Sequence, residues 1–254
     1  MADATCVCTR FLRAWHHRSV NAVVSPRLSI VMPVLDEAAC IDDALGALAP
    51  LRAQGVQLII VDGGSRDGTR SRCEGAADAL LTAPRGRARQ MNAGACAAAG
   101  DALLFLHADT LLPPDALALV AAALDQRAWG RFDVRIDGRS RWLPVVAALM
   151  NLRSRLTGIA TGDQALFMRR EAFNAVGGFA DQALLEDVEI CRRLRQHIGM
   201  PVSLRAKVVT SGRRWDERGA WRTIMLMWRL RWLYWRGVSA DRLAAAYRPS
   251  TGSG

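Results

Sequence analysis

Lysine is nearly missing from this chain. Lys207 is the only one, and the other positive side chains are arginines. A nucleotidyl-transfer site would place a glycine-rich loop with a lysine after the first strand. This chain reads "PVLDEAAC" there, which argues against that chemistry. Long apolar runs are missing too. No stretch of about 18 uncharged apolar residues occurs, which excludes an ordinary helical membrane span. The six cysteines (Cys6, Cys8, Cys40, Cys73, Cys96 and Cys191) form no CxxC pair and have no histidines at zinc-ligand spacing. In a chain this long they read as reduced thiols of a cytosolic protein, with a Cys6/Cys8 metal or redox site as the lesser alternative. The opening residues lack the apolar core of a signal peptide.

Net charge is +10, but it sits at the two ends. Residues 28–204 hold 19 basic and 20 acidic side chains, whereas residues 205–248 hold 11 basic and 3 acidic. A near-neutral middle without an RNA or DNA motif argues against a nucleic-acid partner. Just over half of the 254 residues are hydrophobic, enough for one sizeable core.

The spacing predicts strands at Leu28–Met32, Leu58–Val61, Ala79–Thr82 and Ala102–Leu106, alternating with helices over the first 125 residues. That alternation argues for a mostly parallel, doubly wound α/β sheet, whose ligand sits at the C-terminal strand ends. Polar clusters fall at those ends: Asp36/Glu37 beyond Pro33, Asp62 to Asp67, and His107/Asp109 in "FLHADT". A purely structural sheet needs turn residues there, not repeated acids. On an extended chain His107 and Asp109, two apart, would face the same way. The second half predicts a strand over Gly130–Ile136, a helix over about 143–156, a strand and short helix in "TGDQALFMRREAFNAVGGF", a helix in "LLEDVEICRRLRQHIG", then a short strand and one long helix.

Taken in order, "SIVMPVLDEAACI", "IIVDGGSRDGT", "FLHADT", "RREAFNAVGGF" and "LEDVEICRRLR" resemble the signature of family 2 glycosyltransferases with the GT-A fold, over about residues 28–218. "VDGGS", "GRARQMNAGA", "FLHADT" and "GDQALFMRR" are more narrowly similar to a bacterial group described as radical-SAM-associated and arsenosugar-biosynthesis transferases. The resemblance implies an inverting transfer of sugar from a nucleotide diphosphate, UDP-linked, to a hydroxyl acceptor. It implies that Pro33, Asp36, Glu37, Asp62, Gly64, Arg89, His107 and Asp109 surround the nucleotide sugar. Relatives commonly carry a second Asp where Gly63 stands. Asp67 has an alternative role as a cap for the next helix.

His107 and Asp109 match the metal-binding DxD motif, with His replacing the first Asp. The implied cofactor is Mn2+ or Mg2+. A hard cation prefers carboxylate oxygen, so Asp109 is the better ligand. His107 would shift preference toward manganese, or would contact ribose or phosphate instead. Arg85, Arg87, Arg89 and Gln90 lie at a helix start suited to phosphate, with Arg89 preferred and a solvated basic face as the alternative. Asp187 matches the base that takes the acceptor's proton, with Glu186 supporting it, and the first helical turn should keep both ionised. Gly162, Asp163 and Gln164 match the acceptor side, as do Arg214 and Trp215 of the arginine-plus-tryptophan element that begins at Arg213.

In "WRTIMLMWRLRWLYWRGV" a stripe runs through Trp221, Met225, Trp228, Trp232 and Trp235, with Arg222, Arg229 and Arg236 on its flank and Leu226, Leu230 and Leu233 opposite. This amphipathic 221–238 helix could pack on the core with one face and rest on a membrane surface, or a second copy, with the other. The expected division is a basic, flexible leader (1–27), a transferase domain (28–218) and a Trp/Arg-rich helix and tail (219–254). The expected location is cytoplasmic, peripheral at the inner face of the membrane. A membrane-associated protein that binds nucleotide sugar without catalysis is the competing reading.

Overall fold

The computed structural model describes residues 28–247. The expected leader and the tail from 248 lie outside the described residues, as do the side chains of Arg214 and Trp221.

The first half is built from β1 (Leu28–Val34), α1 (Ile41–Ala53), β2 (Gln57–Asp62), α2 (Thr69–Cys73), β3 (Ala79–Thr82), α3 (Arg87–Ala97) and β4 (Ala102–Phe105). All seven residues of β1 are buried. Leu28, Ile30, Met32 and Val34 join one core cluster, and Val31 joins the cluster on the opposite face. A strand covered on both faces has no reason to alternate with polar residues, so its sequence is a continuous apolar run. These four strands are parallel, in the order β3-β2-β1-β4. The chain leaves β1 toward β2 and later returns to its other side as β4. The crevice at this reversal is where a sheet of this kind receives its ligand.

The second half comprises β5 (Thr110–Leu111), α4 (Ala116–Gln126), β6 (Trp129–Asp137), α5 (Leu143–Thr157), a 3-10 turn (Gly162–Gln164), β7 (Leu166–Arg169), α6 (Arg170–Ala175), α7 (Glu186–His197) and β8 (Val202–Ser211). β7 enters antiparallel between β4 and β6, β6 pairs parallel with β8, and β5 closes the edge antiparallel to β8. The eight-stranded sheet is therefore an α/β fold with a parallel half and a mixed half. Helices α1, α4 and α5 cover one face, and α3, α6 and α7 cover the other.

The C-terminal end departs from the expected short strand and single long helix. β8 runs for ten residues. Three helices follow: α8 (Arg213–Arg218), α9 (Ala220–Trp235) and α10 (Ala240–Tyr247). Gly219 and Gly237, at φ of 82° and 87°, make the breaks in a region where a side chain would be strained. At the second break the Gly237 and Val238 amides bond the Tyr234 and Leu233 carbonyls, a glycine-dependent helix stop. Leu226, Leu230 and Leu233 of α9 pack with Leu243 of α10 and with Leu185, immediately before α7. The opposite stripe, Met225, Trp228, Trp232 and Trp235, is exposed. Among the described residues no helix is long and apolar enough to cross a membrane.

Candidate active site

The loops that follow β1 and β2 are joined by two hydroxyl relays. The Asp36 amide donates to Ser65 Oγ at 3.0 Å, and that hydroxyl donates to Asp62 Oδ1 at 2.5 Å. The Glu37 amide donates to Thr69 Oγ1 at 2.8 Å, and that hydroxyl donates to Asp67 Oδ1 at 2.5 Å. Asp67 also accepts the Ala38 and Thr69 amides, and the Thr69 hydroxyl first, then these amides, hold its carboxyl below the usual range. It thus serves the loop and the first turn of α2, the structural alternative for this residue. Asp62 is buried at the tip of β2, and Asp36 accepts the Arg66 amide at 2.8 Å. Gly64 bends the chain beside them at a φ of 94°. Pro33 is buried within β1, opposite Val61.

Gln90 explains why Gly63 stands where a second Asp is common. Its buried amide donates to the Val34 and Val61 carbonyls, both at 2.8 Å. A Cβ on Gly63 would lie 3.0 Å from that amide group. The Gln90 side chain crowds the space, and a side chain at position 63 would have to push it aside by a few tenths of an ångström.

The chain beyond β4 is not extended at "HADT". A turn closes with the Thr110 amide on the His107 carbonyl at 3.1 Å, which cancels the two-residue alternation expected of a strand. His107 and Asp109 consequently occupy different surroundings. His107 Nδ1 lies 3.4 Å from Asp163 Oδ1. The half-buried Asp109 accepts the Thr110 hydroxyl at 3.3 Å. Among the described residues no group of three His, Cys, Asp or Glu is placed to share a metal ion.

Asp187 and Glu186 open α7, and their environments differ. Asp187 Oδ2 accepts the Gly162 amide at 2.7 Å, and Oδ1 accepts the Val188 amide at 2.7 Å. Glu186 is 6% exposed. Burial, with the adjacent Asp187 charge adding to it, pushes its carboxyl above the usual range. The helix start does not keep this acid readily ionised, contrary to the expectation from the dipole, because desolvation outweighs it. Gln164 is buried behind the 3-10 turn. Its oxygen accepts the Thr161 amide, and its amide group donates to Asn151 and Ser154. It shapes the turn from behind and does not line the cavity beside Asp187. Gly162 is required by closeness: a Cβ there would meet the His107 ring at 2.5 Å.

Among the described residues, three other than glycine hold positive φ: Asp36 (54°), Ala165 (44°) and Leu185 (63°). They adjoin the β1 loop, the 3-10 turn and the Glu186/Asp187 pair respectively. Backbone strain of this kind collects at functional sites.

A cavity of about 470 Å³ opens between α5 and α9 and reaches Glu186 and Asp187. His107, Gly162, Asp163 and Trp215 also line it. Arg89 does not: its guanidinium pairs with Asp181 at 2.8 Å, and Arg87, two residues earlier, faces the cavity instead. Two further arginines there were not anticipated, Arg153 of α5 and Arg231 of α9. Burial lowers Arg153 to about 10, with the neighbouring Arg231 charge adding to the effect. Burial also lowers Arg231, against the pull of Asp187 and Asp163. Arg231 was legible in one respect: it falls outside the Arg222, Arg229, Arg236 repeat and on the same stripe as Thr223 and Met227, four residues apart.

Comparison with known proteins places these features in context. The family model "Glycosyl transferase family 2" matches residues 29–177. A mannosyltransferase from Pyrobaculum calidifontis, solved with GDP-Man and Mn2+, superposes with a TM-score of 0.62 at 23% identity, over 93% of this chain and 72% of that one. S. aureus TarS gives 0.59 at 16% identity over 73% of this chain, which spans only 36% of TarS. Glucosyl-3-phosphoglycerate synthase from Mycobacterium tuberculosis, solved with Mn2+, UDP and glucosyl-3-phosphoglycerate, gives 0.56 at 18% identity over 76% of each chain. These likenesses establish a shared GT-A-type fold. No curated protein matches the sequence.

Proposed function

This chain belongs to glycosyl transferase family 2, and from that premise we propose that it moves a sugar from a nucleotide diphosphate, UDP-linked, to a hydroxyl acceptor with inversion at the anomeric carbon. The observation that carries the reading is the placement of Asp187. Its carboxylate is held by two backbone amides at the edge of a cavity large enough for an acceptor. A carboxylate so fixed can take the proton from an acceptor hydroxyl as the oxygen attacks the sugar carbon. Fixing both oxygens removes the orientational freedom that would otherwise be lost in the transition state. The bond to the nucleotide diphosphate then breaks on the opposite face.

The donor's nucleoside lies, on this reading, against Asp36, Glu37, Asp62 and Gly64, whose loops the hydroxyl relays hold together. Arg87 and the start of α3 meet the diphosphate, and Arg89 supports that turn through Asp181. Asp163, Gly162 and Trp215 border the acceptor, and Arg214 belongs to the same element.

The donor set at the β4 turn fits a divalent ion completed by phosphate oxygens. Asp109 is half-buried and carries a single hydroxyl donor among the described residues, and no protein cage of three ligands surrounds it. Ions of this kind are held by one or two carboxylates plus substrate phosphates. Asp109 would be the protein's ligand, and His107, turned toward Asp163, would contact ribose or phosphate instead. Bound Mn2+ or Mg2+ would neutralise charge on the departing diphosphate. The solved neighbours with Mn2+ or Mg2+ support this. The narrower kinship with radical-SAM-associated and arsenosugar-type transferases rests on the "FLHADT" and "GDQALFMRR" motifs, and the cytoplasmic location on cysteine usage.

A thermal-shift panel of UDP- and GDP-sugars with and without manganese tests the donor assignment. A specific donor should raise the melting temperature in the presence of manganese. Failure of every nucleotide sugar to stabilise the protein would refute it.

A further inference from the structure

Resting on the transferase reading, we infer that the acceptor is an anionic amphiphile: a membrane lipid whose phosphate sits on Arg153 and Arg231 and whose hydrocarbon chain leaves between α5 and α9. Three observations converge on it.

The first is a pair of half-buried arginines. Arg153 Nε and Nη2 and Arg231 Nε are buried atoms with no hydrogen-bond partner among the described residues. Guanidinium nitrogens buried without a partner are costly, so an anion that completes their bonding is expected. Arg87, Arg153 and Arg231 share the cavity with Asp163, Asp187 and Glu186. The cavity wall contains none of Pro33, Asp36, Glu37, Asp62 or Gly64, so these arginines stand apart from the nucleoside loops.

The second is the wall above them. Val146, Leu149, Leu152 and Leu156 of α5 face Ile224, Met227 and Trp228 of α9 across the same cavity. A sugar or nucleotide acceptor would need hydrogen-bonding groups along this passage; a hydrocarbon chain needs none.

The third is the outer rim. Trp142, Val145, Leu149, Leu152 and Leu156 recur at steps of three and four along α5 and are all exposed, Leu156 at 73%. Trp228 and Trp235 of α9 are 66% and 81% exposed. The two stripes flank the mouth of the cavity. Arg222, Arg229 and Arg236 lie exposed on the same helix, where the chain carries its positive surplus. Tryptophan and leucine beside arginine is the composition that seats a helix in an anionic lipid interface. A lipid acceptor would then reach Asp187 without crossing water.

The test uses the full chain with UDP and manganese, and titrates decyl phosphate, decanol and inorganic phosphate by calorimetry. Decyl phosphate should bind at least about tenfold more tightly than either of the others, because only it satisfies both the arginines and the apolar wall. Arg231→Met should lose that preference. Leu156→Gln, at an exposed position that does not support the core, should weaken decyl phosphate while leaving inorganic phosphate unchanged. Flotation with phosphatidylglycerol-containing vesicles should retain the protein, and Trp228→Gln/Trp235→Gln should release it. Equal binding of decyl phosphate and inorganic phosphate would overturn the lipid assignment in favour of a soluble anion. Equal binding of decyl phosphate and decanol would remove the role of the arginines. UDP binding is measured on the same samples: its absence in the unaltered protein sinks the transferase reading, whereas its presence without a decyl phosphate preference sinks only the acceptor.

Discussion

Asp187 accepts the Gly162 amide through Oδ2 at 2.7 Å, so the proposed base and the 3-10 turn are one unit. The same glycine lies against the His107 ring with no room for a side chain. Three stretches far apart in sequence, "FLHADT", "TGDQ" and "LEDVE", meet at this point.

Gly162→Ala should disturb both contacts at once. A Cβ 2.5 Å from the His107 ring forces the imidazole or the turn to move. Overpacking of this kind costs about 1–3 kcal/mol. Sugar transfer should fall at least about tenfold while circular dichroism stays native, since even a small displacement of a reacting group is expensive.

Ser65→Ala removes the link that ties the Asp36 amide to Asp62. The effect should appear in the donor's KM, with kcat little changed, because the relay orders the nucleoside loops and not the acceptor side. Steady-state kinetics with varied UDP-sugar checks it. A change confined to kcat would argue that the relay serves the chemistry instead.

Glu186→Gln should stabilise the protein at neutral pH. Burial raises this carboxyl in the folded state, so the folded chain keeps the proton after the unfolded chain has released it. Its contribution to stability therefore declines as pH rises from the ordinary glutamate value of 4.5 through the raised one. The variant escapes that decline. Its melting temperature should exceed the parent's at pH 7–8, with the gap closing toward pH 4. A gap that widens in acid would contradict the assigned direction.

Asp109→Ala should abolish the manganese-dependent part of UDP binding and leave the metal-free part. Calorimetric titration of UDP with and without manganese separates the two. His107→Ala should reduce the manganese effect less, since its imidazole already lies beside Asp163.

Much of this site was legible because its parts are local. The apolar runs of β1, β2 and β4 mark strands buried on both faces, and acids at their ends mark the crevice. The "ED" pair at the start of α7 was visible for the same reason. What sequence spacing missed depends on contacts between distant segments. His107 and Asp109 part company because a turn, not a strand, carries them. Gln164 sits behind its turn because Asn151 and Ser154 wait for it there. Arg89 is drawn to Asp181, 92 positions away, leaving Arg87 to the cavity. Arg153 and Arg231 become neighbours only when α5 and α9 pack face to face. Gly237 falls inside the expected 221–238 helix until its positive φ shows it to be a break, and Gly219, ahead of that helix, parts α8 from α9.

The most direct measurement is UDP release by Asp187→Asn with manganese and the stabilising UDP-sugar, beside UDP affinity on the same sample. The asparagine oxygen can still accept one of the two backbone amides, that of Gly162 or that of Val188, but the side chain cannot take a proton. The account predicts a fall in turnover of about 10²–10⁴ with UDP affinity unchanged. Turnover equal to that of the unaltered protein would contradict Asp187 as the base and, with it, the proposed mechanism.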